Sequence, residues 1–172
     1  MHSILEKLPG GDLRSIGRSE EVAQEIVDNP ALFAQVFAGL FHDDARIRMR
    51  AADALEKASA QNPSLLLPFK QALIEQVALI PQQEVQWHAA QMFAYLELSA
   101  EEQQRVIRIL YGYLDTSASN IVKVSALQTL GHMAMGSAAV RADMITRIQQ
   151  EMAKGSPAVI TRGKKLLTQL TK

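Results

Sequence analysis

Four stretches of the chain align without gaps: RIRMRAADALEKA from Arg46, EVQWHAAQMFAYL from Glu84, IVKVSALQTLGHM from Ile121 and AVITRGKKLLTQL from Ala158. Their starts lie 38, 37 and 37 residues apart. A near-constant period of this length implies one supersecondary unit used repeatedly, each copy burying its apolar face against the next. Down the columns, Ile47, Val85, Val122 and Val159 are followed four residues on by Ala51, Ala89, Ala126 and Gly163. Leu55, Phe93, Leu130 and Leu167 come four residues later still. Spacing of i, i+4 and i+8 draws one stripe along a helix. The small residue in its middle lets a neighbouring helix come close, and the large one after it fills the space that remains. Ala58, Leu96, Met133 and Leu170 widen the stripe.

Each of these helices is preceded by a second apolar-periodic stretch: PALFAQVFAGL, SLLLPFKQALIEQVALI, AEEQQRVIRILYGYL and AAVRADMITRIQQEM. The unit is therefore helix, short turn, helix. Asn29-Pro30, Asn62-Pro63 and Ser156-Pro157 each place a capping residue before a proline at the first helical position. Ser99 and Glu102 have capping-box spacing. Pro68 predicts that its helix either starts or bends there. Helix pairs are expected at 30–61, 62–98, 99–136 and 137–172, with 1–29 as an N-terminal cap to a single 1–172 array.

The pattern DDARIRMRAADAL at this period resembles the HEAT family, in which an acidic turn leads into Val/Ile, Arg, Ala-Ala and Leu. NPALFAQVFAGLFHDDARIRMRAADALEKAS and QEVQWHAAQM are similar to small bacterial HEAT-like proteins. The resemblance spans about residues 30–171 and implies an all-α fold, a right-handed α-α superhelix of about four helix pairs in the HEAT/armadillo manner. It implies no activity. The later copies depart from the pattern, with Asn120 and Ser156 near the acidic turn positions and Gly163 in place of the first alanine.

No run of residues suggests a membrane span, no signal segment is visible, and there is no cysteine, so a cytoplasmic protein without disulfides is expected. Net charge is zero but unevenly spread. Residues 1–45 hold three Lys or Arg against eight acids, and residues 116–172 hold eight against two.

In HEAT-like stacks the second helix of each pair lines the concave side. The polar columns of these helices would then share one strip: Arg50, His88, Ser125 and Arg162; Asp53, Gln91, Gln128 and Lys165; Lys57, Tyr95, His132 and Gln169; with Arg46 and Glu84 at its edge. This strip (Arg46, Arg50, Asp53, His88, Gln91, Tyr95, Gln128, His132, Arg162 and Lys165) is the expected contact surface for a protein or peptide partner. Trp87, the single tryptophan, sits in the column of Met49, Val124 and Thr161 and is expected to pack between repeats. The segment GGDLRSIGRS offers glycines and two arginines to an anion, but it lacks the Lys-Ser/Thr of a P-loop and no strand precedes it. A cap loop whose arginines pair with nearby acids is the simpler expectation.

The histidines His2, His42, His88 and His132 show no zinc spacing, and neither metal nor cofactor is expected. The function expected is a non-enzymatic scaffold. The alternative is a nucleic-acid-acting protein like the HEAT-like alkylpurine DNA glycosylases, drawing on Arg46, Arg50, Lys123, Arg162, Lys165, Trp87 and Asp53. Neutral charge and few aromatics count against it. Oligomeric state is not specified by the sequence.

Overall fold

A computed structural model describes residues 3–12 and 14–172; His2 and Leu13 of the glycine-containing segment lie outside that set. Among the described residues every regular element is helical. Contacts divide the chain into two compact units, Met1–Leu96 and Glu97–Lys172.

The first unit holds α1 (Ser19–Asp28), α2 (Phe33–Ala38), α3 (Ala45–Gln61), α4 (Lys70–Glu75) and α5 (Gln83–Phe93). The two first-of-pair helices are broken. Three-residue 3-10 turns, Pro30–Leu32 and Gly39–Phe41, flank α2, and Pro63–Phe69 is 3-10 up to the start of α4. Pro68 sets that boundary, because it removes a donor and its ring crowds the preceding turn. The α3 helix is continuous. Asp44 caps it by accepting from the Arg46 amide at 2.8 Å. It is the hub of the unit, with α1, α2 and α5 packed around it. Phe69, just after Pro68, ties the first pair to the second, its ring 5.1 Å from Phe33 and 4.6 Å from Phe37.

The second unit is more regular: α6 (Ala100–Thr116), α7 (Asn120–Gly136), α8 (Ala138–Lys154) and α9 (Pro157–Leu170). Ser99 and Glu102 form the expected capping box on α6, and Ser156 caps α9 ahead of Pro157. The α7 helix buries residues all round, from Val122 and Ala126 to Leu127, Leu130 and Ala134, because α6, α8 and α9 all pack on it. Arg147 and Lys154 reach the buried Glu151 carboxylate, each at 3.1 Å.

In both units the second helices of successive pairs pack together, α3 on α5 and α7 on α9. The repeat columns explain how. Ala51, Ala89 and Ala126 are fully buried, as are Leu55, Val85, Val122 and Val159. At Gly131 of α7 a Cβ would run into the Leu166 side chain of α9, and at Gly163 of α9 one would run into Met152 of α8, the first helix of the same pair.

The small-residue column gives a controlled test on one helix. Ala51→Leu overpacks a fully buried position and is expected to cost about 1–3 kcal/mol. Ala60→Leu, on the exposed end of α3, should stay within about 0.5 kcal/mol of the parent in urea denaturation.

Candidate functional site

The N-terminal segment lies on α3 and encloses a charge. Arg50 is 1% exposed, and its guanidinium donates to four backbone carbonyls of that segment. Nη1 reaches Leu8 O and Gly10 O, each at 2.5 Å, Nη2 reaches Asp12 O at 3.0 Å and Nε reaches Ser15 O at 3.1 Å. Four carbonyl dipoles thus stand where a carboxylate would normally be. A planar fork with five N–H groups can serve them together, which an ammonium on a shorter reach cannot. The loop bends around the guanidinium through glycines in the left-handed region, including Gly11 at φ +65° and Gly17 at φ +56°. At Gly17 a side chain is doubly excluded, since a Cβ would lie 2.9 Å from Arg50 Nε. Arg46 adds a further bond, to Gly11 O at 3.3 Å, while its other nitrogens hold Asp44. Asp12 and Ser15 brace the loop internally by accepting from the amides of Arg14 and Gly17.

Next to this cradle is a polar cluster at the contact of α1, α3 and α5. Asp53 Oδ2 accepts from the Ser19 hydroxyl at 2.5 Å and pairs with Lys57 at 2.9 Å. Lys57 also reaches Glu20, at 3.1 Å. His88 Nε2 lies 3.6 Å from Asp53 Oδ1, and His88 Nδ1 lies 3.0 Å from Gln91 Oε1. Glu84, one turn before His88 on α5, is also buried. Burial holds the His88 pKa below its usual value, to about 4, although Asp53 pulls it upward. The ring is therefore neutral near pH 7.

Over the cluster opens a cleft of about 230 Å³ lined by Arg14, Ser15, Ile16, Met49, Arg50, Asp53, Trp87 and His88. Ile16 is 45% exposed and Trp87 is half-buried, so the walls are apolar and the floor is polar. An apolar cleft with a few convergent polar groups is the usual form of a binding site, and this one is the size of a single side chain.

This arrangement corrects the expected strip in the first unit. Arg50, Asp53 and His88 were assigned to an open polar face, but all three are more than nine-tenths buried. The N-terminal segment covers that face of α3, and it does so because Arg50 supplies the donors its turn carbonyls need. Arg46 is occupied by Asp44, and Tyr95 donates to Glu56 at 2.5 Å. Gln91 is half-buried against His88. The glycine segment binds a cation of its own chain rather than an anion, and Arg18 pairs with Glu21 as a cap-loop arginine should. In the second unit Gln128, His132 and Lys165 are exposed, and half-buried Arg162 donates to Gln128 at 2.5 Å. Among the described residues no cluster of three or more His, Asp or Glu side chains is placed to hold a metal ion. Among the described residues no helix is long and apolar enough to cross a membrane.

Ser19, Ile16 and Glu84 were not selected by sequence reasoning as a group. Ser19 reads as a helix-start residue, and nothing in a 34-residue separation from Asp53 signals their bond. Compared with protein-family models, curated proteins and solved structures, the chain shows no significant match in any of the three.

Two predictions follow from the cradle and the cluster. Arg50→Lys leaves carbonyls stranded in a dry site and is expected to lower stability by about 2–4 kcal/mol, with new protease cleavage between residues 8 and 18. Limited proteolysis with a denaturant melt checks both effects. For His88, the folded pKa lies below the unfolded value of about 6.5. The unfolded chain therefore binds a proton first as pH falls, and stability is lost between about pH 6.5 and 4. His88→Gln should flatten the thermal-midpoint profile across that window, leaving only the carboxylate-driven loss at lower pH.

Proposed function

We propose that this chain is a HEAT-like helical array that works by binding a protein segment rather than by catalysis, and that the Ile16–Trp87 cleft is its principal contact in the first unit. One observation carries the reading: apolar walls that face solvent stand over polar groups already fixed by neighbours. Trp87 and Ile16 supply the kind of anchor pocket that dominates binding energy at protein interfaces. Ser19, Asp53 and Lys57 are engaged with one another, which suits a rigid recognition floor. The repeat period and the packing of α3 on α5 and α7 on α9 support the array. In the second unit, taken by itself, Gln128 and His132 on α7 and Lys165 on α9 are exposed.

The nucleic-acid reading draws less support. Of the residues it needs, Arg50 is spent on carbonyls and Asp53 on Ser19 and Lys57. A salt-dependent gel shift with duplex DNA would restore it.

The test compares proteins captured from the native host's extract by the parent chain, by Ile16→Asp and by Gln128→Ala, quantified by mass spectrometry. A partner recovered by the parent is expected to fall about tenfold with Ile16→Asp while both variants keep the parent's circular dichroism. Undiminished recovery with Ile16→Asp would exclude the cleft as the contact.

A further inference from the structure

The two kinds of helix in the second unit carry different charge. The first-of-pair helices, α6 and α8, hold five acids and five Lys or Arg, whereas α7 and α9 hold four Lys or Arg and no acid. The acids of α6 and α8 are answered locally: Glu101 pairs with Arg105, Asp143 accepts from Tyr111, and Asp115 and Glu151 pair with Arg147. No carboxylate among the described residues pairs with Lys123, Arg162, Lys164 or Lys165.

On α7 the exposed Ile121, Gln128, His132 and Met135 follow at spacings of seven, four and three, which is one side of a helix. On α9, Arg162, Lys165 and Gln169 follow at three and four. Arg162 joins the two stripes, its Nη1 donating to Gln128 Oε1 at 2.5 Å. The guanidinium makes no other hydrogen bond to a described residue, so a half-buried fork aimed by Gln128 still has donors to offer.

Arg50 shows what a guanidinium at this register holds. Arg162 stands in its repeat column, and Arg50 donates to four carbonyls of a non-helical segment laid over α3. Three residues on, where α3 carries Asp53, α9 carries Lys165. The face that takes neutral backbone in the first unit thus carries the charge for an anion in the second. Residues 114–172 contain no Phe, Trp or Tyr, so no such ring is present to stack on a base. Ile121 and Met135, 56% and 41% exposed, offer apolar contact at the two ends of the α7 stripe instead. They lie about 21 Å apart along the helix, the reach of six or seven extended residues.

We propose that the α7–α9 face docks an acidic, extended segment of a partner protein, with one carboxylate on the Arg162 fork, a second on Lys165, and apolar side chains against Ile121 and Met135. A fixed guanidinium takes a carboxylate through two parallel bonds, and alternate side chains of an extended segment point to one side. This inference rests on the binding-module reading but uses neither Ile16 nor Trp87, so loss of the cleft leaves it standing.

The probe is acetyl-Leu-Ala-Glu-Ala-Glu-Ala-Leu-amide, titrated into isotope-labelled full-length protein and followed by amide NMR. Saturable shifts are expected around Gln128, Arg162 and Lys165 with a midpoint on the order of 1 mM, as for a short flexible peptide. The same peptide with glutamine for glutamate should bind about tenfold more weakly. Lys165→Glu is expected to weaken the acidic peptide about tenfold. Lys164→Glu makes the same change of charge on a different side of α9 and should alter binding less than about twofold. Both positions are exposed, so both variants should keep the parent's circular dichroism. Equal losses in the two variants, equal binding of the two peptides, or no shift well above the expected midpoint would overturn the docking face. Duplex DNA moving the same amides at lower concentration than the acidic peptide would overturn the assignment to a protein segment.

Discussion

A buried guanidinium governs the first unit. Arg50 brings a full charge into a site with 1% exposure, and among the described residues no carboxylate hydrogen-bonds to it. Such a charge survives only if its donors are matched almost completely. The chain meets that demand with the carbonyls of its own N-terminal segment, and the demand runs both ways. The carbonyls of Leu8, Gly10, Asp12 and Ser15 converge on the guanidinium, and Asp12 O also takes the Ser15 amide at 3.4 Å. From this follow the left-handed glycines, the bond from Arg46 to Gly11, the burial of Leu8 and the placement of Ile16 over α5.

The cleft is a by-product of the same constraint, and its chemistry follows from what surrounds it. Once the segment is seated, α1 begins at Ser19 with the hydroxyl directed at Asp53 rather than at the helix's own amides. Asp53 is thereby fixed from one side by Ser19 and Lys57, with its second oxygen left facing His88. Desolvation keeps that histidine neutral near pH 7, with one ring nitrogen a donor and the other an acceptor.

The second unit manages buried charge differently. Glu151 is almost wholly enclosed, and Arg147 and Lys154 reach it from one turn away on the same helix. Arg147 also meets Asp115 at 2.5 Å and lies over the Tyr111 ring. These pairs, within α8 and from α8 to α6, are made by side chains without the backbone, and the helices around them are regular. Where the first unit distorts chain to satisfy a charge, the second keeps long straight helices.

The sequence by itself determined the helix pairs. The 37–38-residue period, the small-residue column and the proline and capping signals located α3, α5, α6, α7, α8 and α9, because these are short-range effects of side-chain size and backbone donors. It also marked Pro68 as the place where a helix starts or bends. The role of Arg50 was not legible. In its column it stands with His88, Ser125 and Arg162 as one more polar residue on a solvated face, and nothing local distinguishes it from them. Only the tertiary structure decided that the N-terminal segment folds back on α3, since that choice is made by carbonyls 35 to 42 residues away and by no pattern in the residues themselves. The cleft between Ile16 and Trp87, with Asp53 and His88 beneath it, exists for the same reason.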